Sequence, residues 1–174
     1  MTKSVWYLFH PNATETSLNK KIFNLAKDTI SNTKFIDLSN STPFDVKTEQ
    51  KNLADADKIV FQYPIWWSNH PPQLSEFLNK VFTDDFAYGK GTALKNHEIV
   101  TVTTTGASPE SYRALGGPRK YTPDEDKTYW SSVSEFVKAN EPKHFNLFSS
   151  YSANDSIIKK YVSKVDSYIN SDKK

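Results

Sequence analysis

Lys58-Ile59-Val60-Phe61-Gln62-Tyr63-Pro64-Ile65-Trp66-Trp67-Ser68-Asn69-His70-Pro71-Pro72 is the stretch from which the architecture is read. Its first six residues form a short, almost continuous apolar run with β-branched and aromatic side chains, the mark of a strand covered on both faces. Pro64 cannot donate to a ladder, which stops the run. Beyond the loop, Leu74, Phe77, Leu78, Val81 and Phe82 recur at helical spacing, and Pro71-Pro72 suits a helix entry. Upstream, Val5-Trp6-Tyr7-Leu8-Phe9 is a strand of the same kind, followed by helix-spaced Leu18, Ile22, Leu25, Ala26 and Ile30. Lys34-Phe35-Ile36-Asp37-Leu38 predicts the second strand, and the polar residues 39–57 hold at most a short helix. Downstream, Glu98-Ile99-Val100-Thr101-Val102-Thr103-Thr104 is the β-branched fourth strand. An irregular stretch over residues 105–126 precedes a helix on Trp130, Val133, Phe136 and Val137. Residues 144–150 predict a fifth strand, and Ile157, Ile158, Tyr161, Val162, Val165, Tyr168 and Ile169 a closing amphipathic helix.

Five apolar strands alternating with helices predict an α/β fold, a five-stranded parallel sheet with helices on both faces, in one domain over residues 1–174. Such sheets bind ligands beyond the carboxyl ends of their strands, at the topological switch point. In the flavodoxin-like strand order that point lies between strands 1 and 3. The loops after strands 1, 3 and 4 are therefore expected to carry the chemistry.

Composition narrows the classes. Twenty-two basic and 20 acidic residues leave a net charge of +2, against a nucleic-acid partner, which requires a basic stripe. No apolar run approaches the roughly 20 residues of a membrane span, and the first ten residues have too few apolar positions for a signal peptide. A cytoplasmic protein without direct membrane insertion is expected. The chain has no cysteine, hence no disulfide, thiolate metal site or cysteine nucleophile. His10, His70, His97 and His144 show no ligand spacing, so no metal is expected. The five glycines form no dinucleotide fingerprint or Walker loop, and no G-x-S-x-G elbow is present.

The first strand-end loop places Thr14, Thr16, Ser17 and Asn19 around a helix start, where unsatisfied N–H groups and the dipole favour an anion. Thr16 or Ser17 serves equally well as a plain N-cap, and His10 either contacts a phosphate or is structural. In the third loop, Pro64, Ile65, Trp66, Trp67 and Ser68 include adjacent tryptophans, which point opposite ways in an extended chain. One can pack inward while the other offers a planar face; the alternative is a hydrophobic plug at the sheet end. The fourth loop, Thr104, Thr105, Gly106 and Ala107, combines hydroxyls with a glycine that permits close backbone approach. It continues through Tyr112 to Arg113 and Arg119, the only two arginines, whose planar forks suit phosphate or carboxylate.

His10-Pro11-Asn12 and Ser17-Leu18-Asn19 resemble the opening of the flavodoxin-like NAD(P)H:quinone oxidoreductases, the DT-diaphorase family. Phe61-Gln62-Tyr63-Pro64-Ile65-Trp66-Trp67, Pro71-Pro72-Gln73-Leu74, Asn79-Lys80-Val81-Phe82 and Phe86-Ala87-Tyr88-Gly89 are similar to that family's most distinctive block. Gly91-Thr92-Ala93-Leu94 and Thr104-Thr105-Gly106 follow in order. The length is nearest the short bacterial members, the general-stress oxidoreductases and the ancillary proteins of potassium-efflux systems. The resemblance implies a homodimer, a non-covalent flavin and ping-pong hydride transfer from NAD(P)H to a quinone-like acceptor. By position, His10, Thr16, Ser17, Leu18 and Asn19 would hold the ribityl phosphate region. Pro64, Ile65, Trp66, Trp67 and Ser68 would pack along the isoalloxazine, and Thr104, Thr105, Gly106 and Ala107 would close its other side. Tyr112 matches the catalytic tyrosine near the ring, and Tyr88 an aromatic lining the substrate site from the partner subunit. Trp66 stands where many members have glutamine, Ser68 where an aromatic is usual, and Ala107 where a second glycine is usual. After Tyr112 no histidine matches the family's relay; Arg119 is the nearest polar residue.

The leading expectation is an FMN-dependent NAD(P)H oxidoreductase, with FAD as the alternative flavin and Arg113 or Arg119 as selectors of NADPH. The runner-up is a flavin-binding ancillary subunit of a membrane transporter. A one-electron carrier fits less well, because such proteins meet their partners through an acidic surface.

Overall fold

The computed structural model describes residues 3–40, 43–112 and 128–171. Five strands, β1 (Ser4–Leu8), β2 (Thr33–Asp37), β3 (Lys58–Pro64), β4 (Glu98–Thr104) and β5 (Lys143–Leu147), form one parallel sheet in the order β2-β1-β3-β4-β5. That is the expected order. Every residue of β1 and β3 is buried, as continuous apolar runs require when both faces are covered.

Alternation divides the strands between two cores. Val5, Tyr7, Ile59, Phe61 and Tyr63 face one side, under α2 (Val46–Ala54), α3 (Pro72–Val81) and α4 (Thr128–Phe136). Trp6, Leu8, Val60, Val100 and Val102 face the other, under α1 (Leu18–Thr29) and α5 (Asp155–Ile169). The first core is aromatic: Phe61 stacks on Trp130 with centroids 4.9 Å apart, and the Trp130 indole donates to the Tyr63 hydroxyl at 2.7 Å. Pro71 caps α3 in an extended conformation and Pro72 opens it, where the missing N–H costs nothing.

Strand ends and two burial readings differ from expectation. Pro64 belongs to β3, paired with Thr104. Gln62 O accepts from Phe9 N, so by alternation the donor that Pro64 lacks would face the side on which β1 has already ended. The fifth strand ends at Leu147 and not at Ser150, because Ser149 turns left-handed (φ 50°) into a 3₁₀ turn over Ser150–Ser152. Phe136 and Ile157, read as core by periodicity, are 64% and 41% exposed.

Candidate functional site

The carboxyl ends of β1, β3 and β4 enclose a cavity of about 270 Å³, near the lower end of the roughly 300 Å³ upward typical of small-molecule sites. His10, Leu18, Asn19, Pro64, Ile65, Trp66, Thr104 and Gly106 line it. Eight of the sequence candidates thus converge, from three loops far apart in the chain. Two residues not foreseen, Ser150 and Tyr151 after β5, complete the wall. Among the described residues no acidic side chain lines it.

Each loop has a local logic. Ser17 occupies the N-cap of α1 but makes no side-chain cap bond; its Oγ donates backwards to Thr14 O at 2.7 Å. Thr16 is exposed and pairs with the Thr14 hydroxyl. The hydroxyls of this loop are thus spent on the loop, leaving the start of α1 without a side-chain cap. His10 lies edge-on to Trp66, centroids 5.5 Å apart. Its Nδ1 is 3.0 Å from Pro11 O, and since a carbonyl only accepts, Nδ1 carries the hydrogen.

After β3, Trp66 and Asn69 exchange two backbone hydrogen bonds of 3.0 Å. The two residues between them, Trp67 and Ser68, have φ of 53° and 59°. Two successive positive φ values in a two-residue turn are the type I′ arrangement, which Asn-Gly fills without strain and Trp-Ser does not. The strained turn throws Trp67 fully into solvent while Trp66, half-exposed, borders the cavity. Neither tryptophan packs inward as expected: Trp66 borders the cavity and Trp67 stands in solvent, away from it. Ser68 faces a different small cavity with Tyr63, His70 and Tyr129. There His70 stacks on Tyr129 at 5.1 Å, bonds Ser75 Oγ through Nε2 at 2.9 Å, and is held below its ordinary pKa by burial.

After β4, Thr105 and Ala107 serve as backbone anchors. Thr105 N donates to Leu147 O, Ser150 N to Thr105 O, and Ser149 N to Ala107 O. These bonds fix the β5–α5 loop so that the Tyr151 ring lies on Gly106: a Cβ there would meet Tyr151 Cε2 at 2.4 Å. Tyr112 is buried against Phe148, centroids 5.8 Å apart, and does not border the cavity. Tyr88 lines a separate apolar groove of about 510 Å³ between α3 and α4, its ring 4.9 Å from Phe136. Arg113 and Arg119 lie outside the described residues.

Behind the cavity runs a buried polar chain that sequence reading did not anticipate. The Trp6 indole donates to Gln62 Oε1 at 2.9 Å; Gln62 Nε2 donates to Asn19 O at 2.7 Å and Asn19 Oδ1 at 3.3 Å; Asn19 Nδ2 donates to Thr104 Oγ1 at 2.8 Å. The single legible sign was a glutamine inside an apolar strand, since a buried amide requires partners.

A family profile described as a flavodoxin-like fold matches residues 6–169. An uncharacterised NAD(P)H oxidoreductase of Bacillus subtilis (strain 168), YdeQ, is 34% identical over 117 residues, 66% of this chain and 59% of the relative. The glutathione-regulated potassium-efflux system ancillary protein KefF of Citrobacter koseri is 34% identical over 110 residues, 62% of each chain. The chain thus spans less than two thirds of the length of either relative. The crystal structure of general stress protein 14 of Treponema denticola in complex with FMN superposes with a TM-score of 0.83 at 26% identity, over 97% of this chain and 98% of that one.

Proposed function

The chain belongs to the family with the flavodoxin-like fold, and on that premise we propose that it is a flavin-dependent NAD(P)H oxidoreductase. It would pass a hydride from NAD(P)H by way of bound FMN to a quinone or similar two-electron acceptor, in a ping-pong sequence. The observation that carries this is the cavity at the switch point between β1 and β3, where indole and aliphatic surface meets amide and hydroxyl groups and, among the described residues, no carboxylate. That donor set fits a flat heterocycle carrying an anionic tail, and FMN is the flavin of the superposed structure.

FMN, when bound, supplies the two-electron redox chemistry. The side chains bind and orient. Ile65, Trp66 and Tyr151 offer flat or aliphatic surface to the ring. The start of α1 at Leu18 and Asn19, without a side-chain cap, offers backbone donors to the phosphate region. The loop of Thr105, Gly106 and Ala107 holds Tyr151 in place. Tyr112 is buried against Phe148 and off the cavity wall, so packing is the role its position supports. Tyr112→Phe should then lower Tm, whereas a fall in kcat at unchanged FMN affinity would place it at the ring's edge, as the resemblance implies.

Two features support a homodimer that completes the site. The α3–α4 groove is apolar, and Phe136 and Tyr129 on it are 64% and 43% exposed, an apolar patch of the kind that marks an interface. Tyr88 lies on that groove and away from its own chain's cavity, as expected of a residue that serves the partner. Phe136→Asp should yield a monomer in sedimentation and raise the KM for the acceptor. The likeness to a potassium-efflux ancillary protein favours a second reading, an ancillary subunit of a membrane transporter. Among the described residues no helix is long and apolar enough to cross a membrane.

The test is anaerobic. The FMN-loaded protein should lose its visible flavin absorbance on adding NADPH and recover it with a benzoquinone, and steady-state plots should give parallel lines. Flavin binding without either change would remove the reductase and leave the ancillary reading.

A further inference from the structure

We propose that Trp6, acting through Gln62 and Asn19, fixes the Thr104 hydroxyl as a hydrogen-bond donor into the cavity, so that the group bound against Thr104 is an acceptor oxygen or unprotonated ring nitrogen. The inference rests on the flavin reading for the identity of the ligand, but the chain itself does not depend on it.

The argument is one of direction. Amide oxygen and nitrogen can exchange places in glutamine and asparagine, and a hydroxyl donates or accepts; an indole N–H only donates. Trp6 is fully buried and its Nε1 is 2.9 Å from the Gln62 amide, so the oxygen of Gln62 faces it. The Gln62 nitrogen must then face Asn19, and the backbone carbonyl of Asn19, which only accepts, independently requires it there at 2.7 Å. With Gln62 Nε2 also directed at the Asn19 side-chain oxygen, the Asn19 nitrogen faces Thr104 Oγ1. That oxygen is now an acceptor within the protein. Among the described residues no acceptor stands against its own hydrogen, and Thr104 lines the cavity. Trp6, Gln62 and Asn19 are at most 3% exposed, so water does not compete for these bonds, and reversing any link would leave two donors or two acceptors facing each other in the interior. Asn19 is thus a positioning residue: the oxygen of its side-chain amide and one N–H are engaged in the chain.

The test is a double-mutant cycle on binding, read by quenching of flavin fluorescence with apo-protein. Thr104→Val should weaken FMN about tenfold, the loss of one hydrogen bond of roughly 1.4 kcal/mol, and Thr104→Ser should restore it. Trp6→Phe, which removes one of the two groups that orient the Gln62 amide, should weaken FMN severalfold, yet add nothing in the Thr104→Val background, because the direction of the chain then has no outlet. Additive losses would overturn the proposal. If Trp6→Phe does not fold, Gln62→Met breaks the chain one link later and must show the same non-additivity. Riboflavin locates the acceptor: equal losses place it on the ring or ribityl chain, losses confined to FMN place it on the phosphate, and either supports donation by Thr104.

A wild-type protein that binds neither flavin would refute the flavin reading alone. The chain is then judged in the apo-protein by side-chain amide exchange. Slow exchange of the Gln62 and Asn19 NH₂ groups that Trp6→Phe accelerates supports it, and rates unchanged by that substitution overturn it.

Discussion

The amino-end edge of the sheet is closed around a buried cation, while the carboxyl-end edge is open and strained. At the former, Lys58 opens β3 with its side chain only 2% exposed. Its ammonium donates to the carbonyls of Tyr168, Ile169 and Ser171 at 2.7, 3.0 and 2.9 Å, with Glu98 at 3.9 Å and the Tyr168 ring 4.8 Å away. One lysine thereby satisfies carbonyls at the end of α5 and opposes the negative end of its dipole. At the carboxyl-end edge, Trp67, Ser68 and Ser149 hold positive φ, Trp67 is fully exposed, and Tyr151, 95% exposed, covers a glycine. The same strands therefore end in a clamp at one side and an open cavity at the other. Left-handed residues occur at both ends, but those at the amino end are mostly asparagine (Asn32 and Asn96, with Lys138), which tolerates that conformation.

If that division is right, Lys58→Met should cost about 3–5 kcal/mol, the loss expected when one partner of a buried charge cluster is removed. Urea denaturation would measure it, and FMN affinity of the folded fraction should not change. A substitution at the open edge should do the reverse. Gly106→Ala puts a Cβ where the Tyr151 ring lies; because that ring can swing into solvent, stability should change by under about 0.5 kcal/mol, while flavin affinity falls about fivefold. Ser68→Gly relieves a left-handed residue and should stabilise the protein by about 0.5–1 kcal/mol, net of the extra entropy of the unfolded glycine, detectable as a rise in Tm.

The smallest expected effect concerns His70. Burial lowers its pKa in the folded chain, so the unfolded chain takes up the proton first as pH falls past about 6.5. The stability due to the neutral ring is then complete above that pH and is lost below it, down to the folded-state pKa. His70→Phe should flatten the pH dependence of stability between pH 7 and 5 by less than about 1 kcal/mol, in denaturation at several pH values.

The strands are legible because burial on both faces writes itself as apolar runs such as Val5-Trp6-Tyr7-Leu8-Phe9, and because Pro71-Pro72 marks a helix start; their order follows from the flavodoxin-like fold and not from the runs. The cavity was legible through topology, since the switch point names its loops before any residue is read. What escaped is non-local or set by dihedral angle. Ser149 carries no signal of its left-handed turn, so the strand pattern runs past it to Ser150, and nothing in the sequence marks Tyr151 as a wall of the cavity. Phe136 has core periodicity, but periodicity does not say whether the surface above a helix is covered. The link from Gln62 to Asn19 spans 43 positions, and only folding brings those amides together.

The most direct test of the central claim is an amide NMR titration of the apo-protein with FMN. Asn19, Trp66, Thr104, Gly106 and Tyr151 should shift and saturate together at one FMN per chain, while Lys58, Glu98 and Tyr168 stay in place. Shifts confined to the α3–α4 groove, or none at the carboxyl ends of β1, β3 and β4, would contradict the assignment of that end of the sheet as the flavin site.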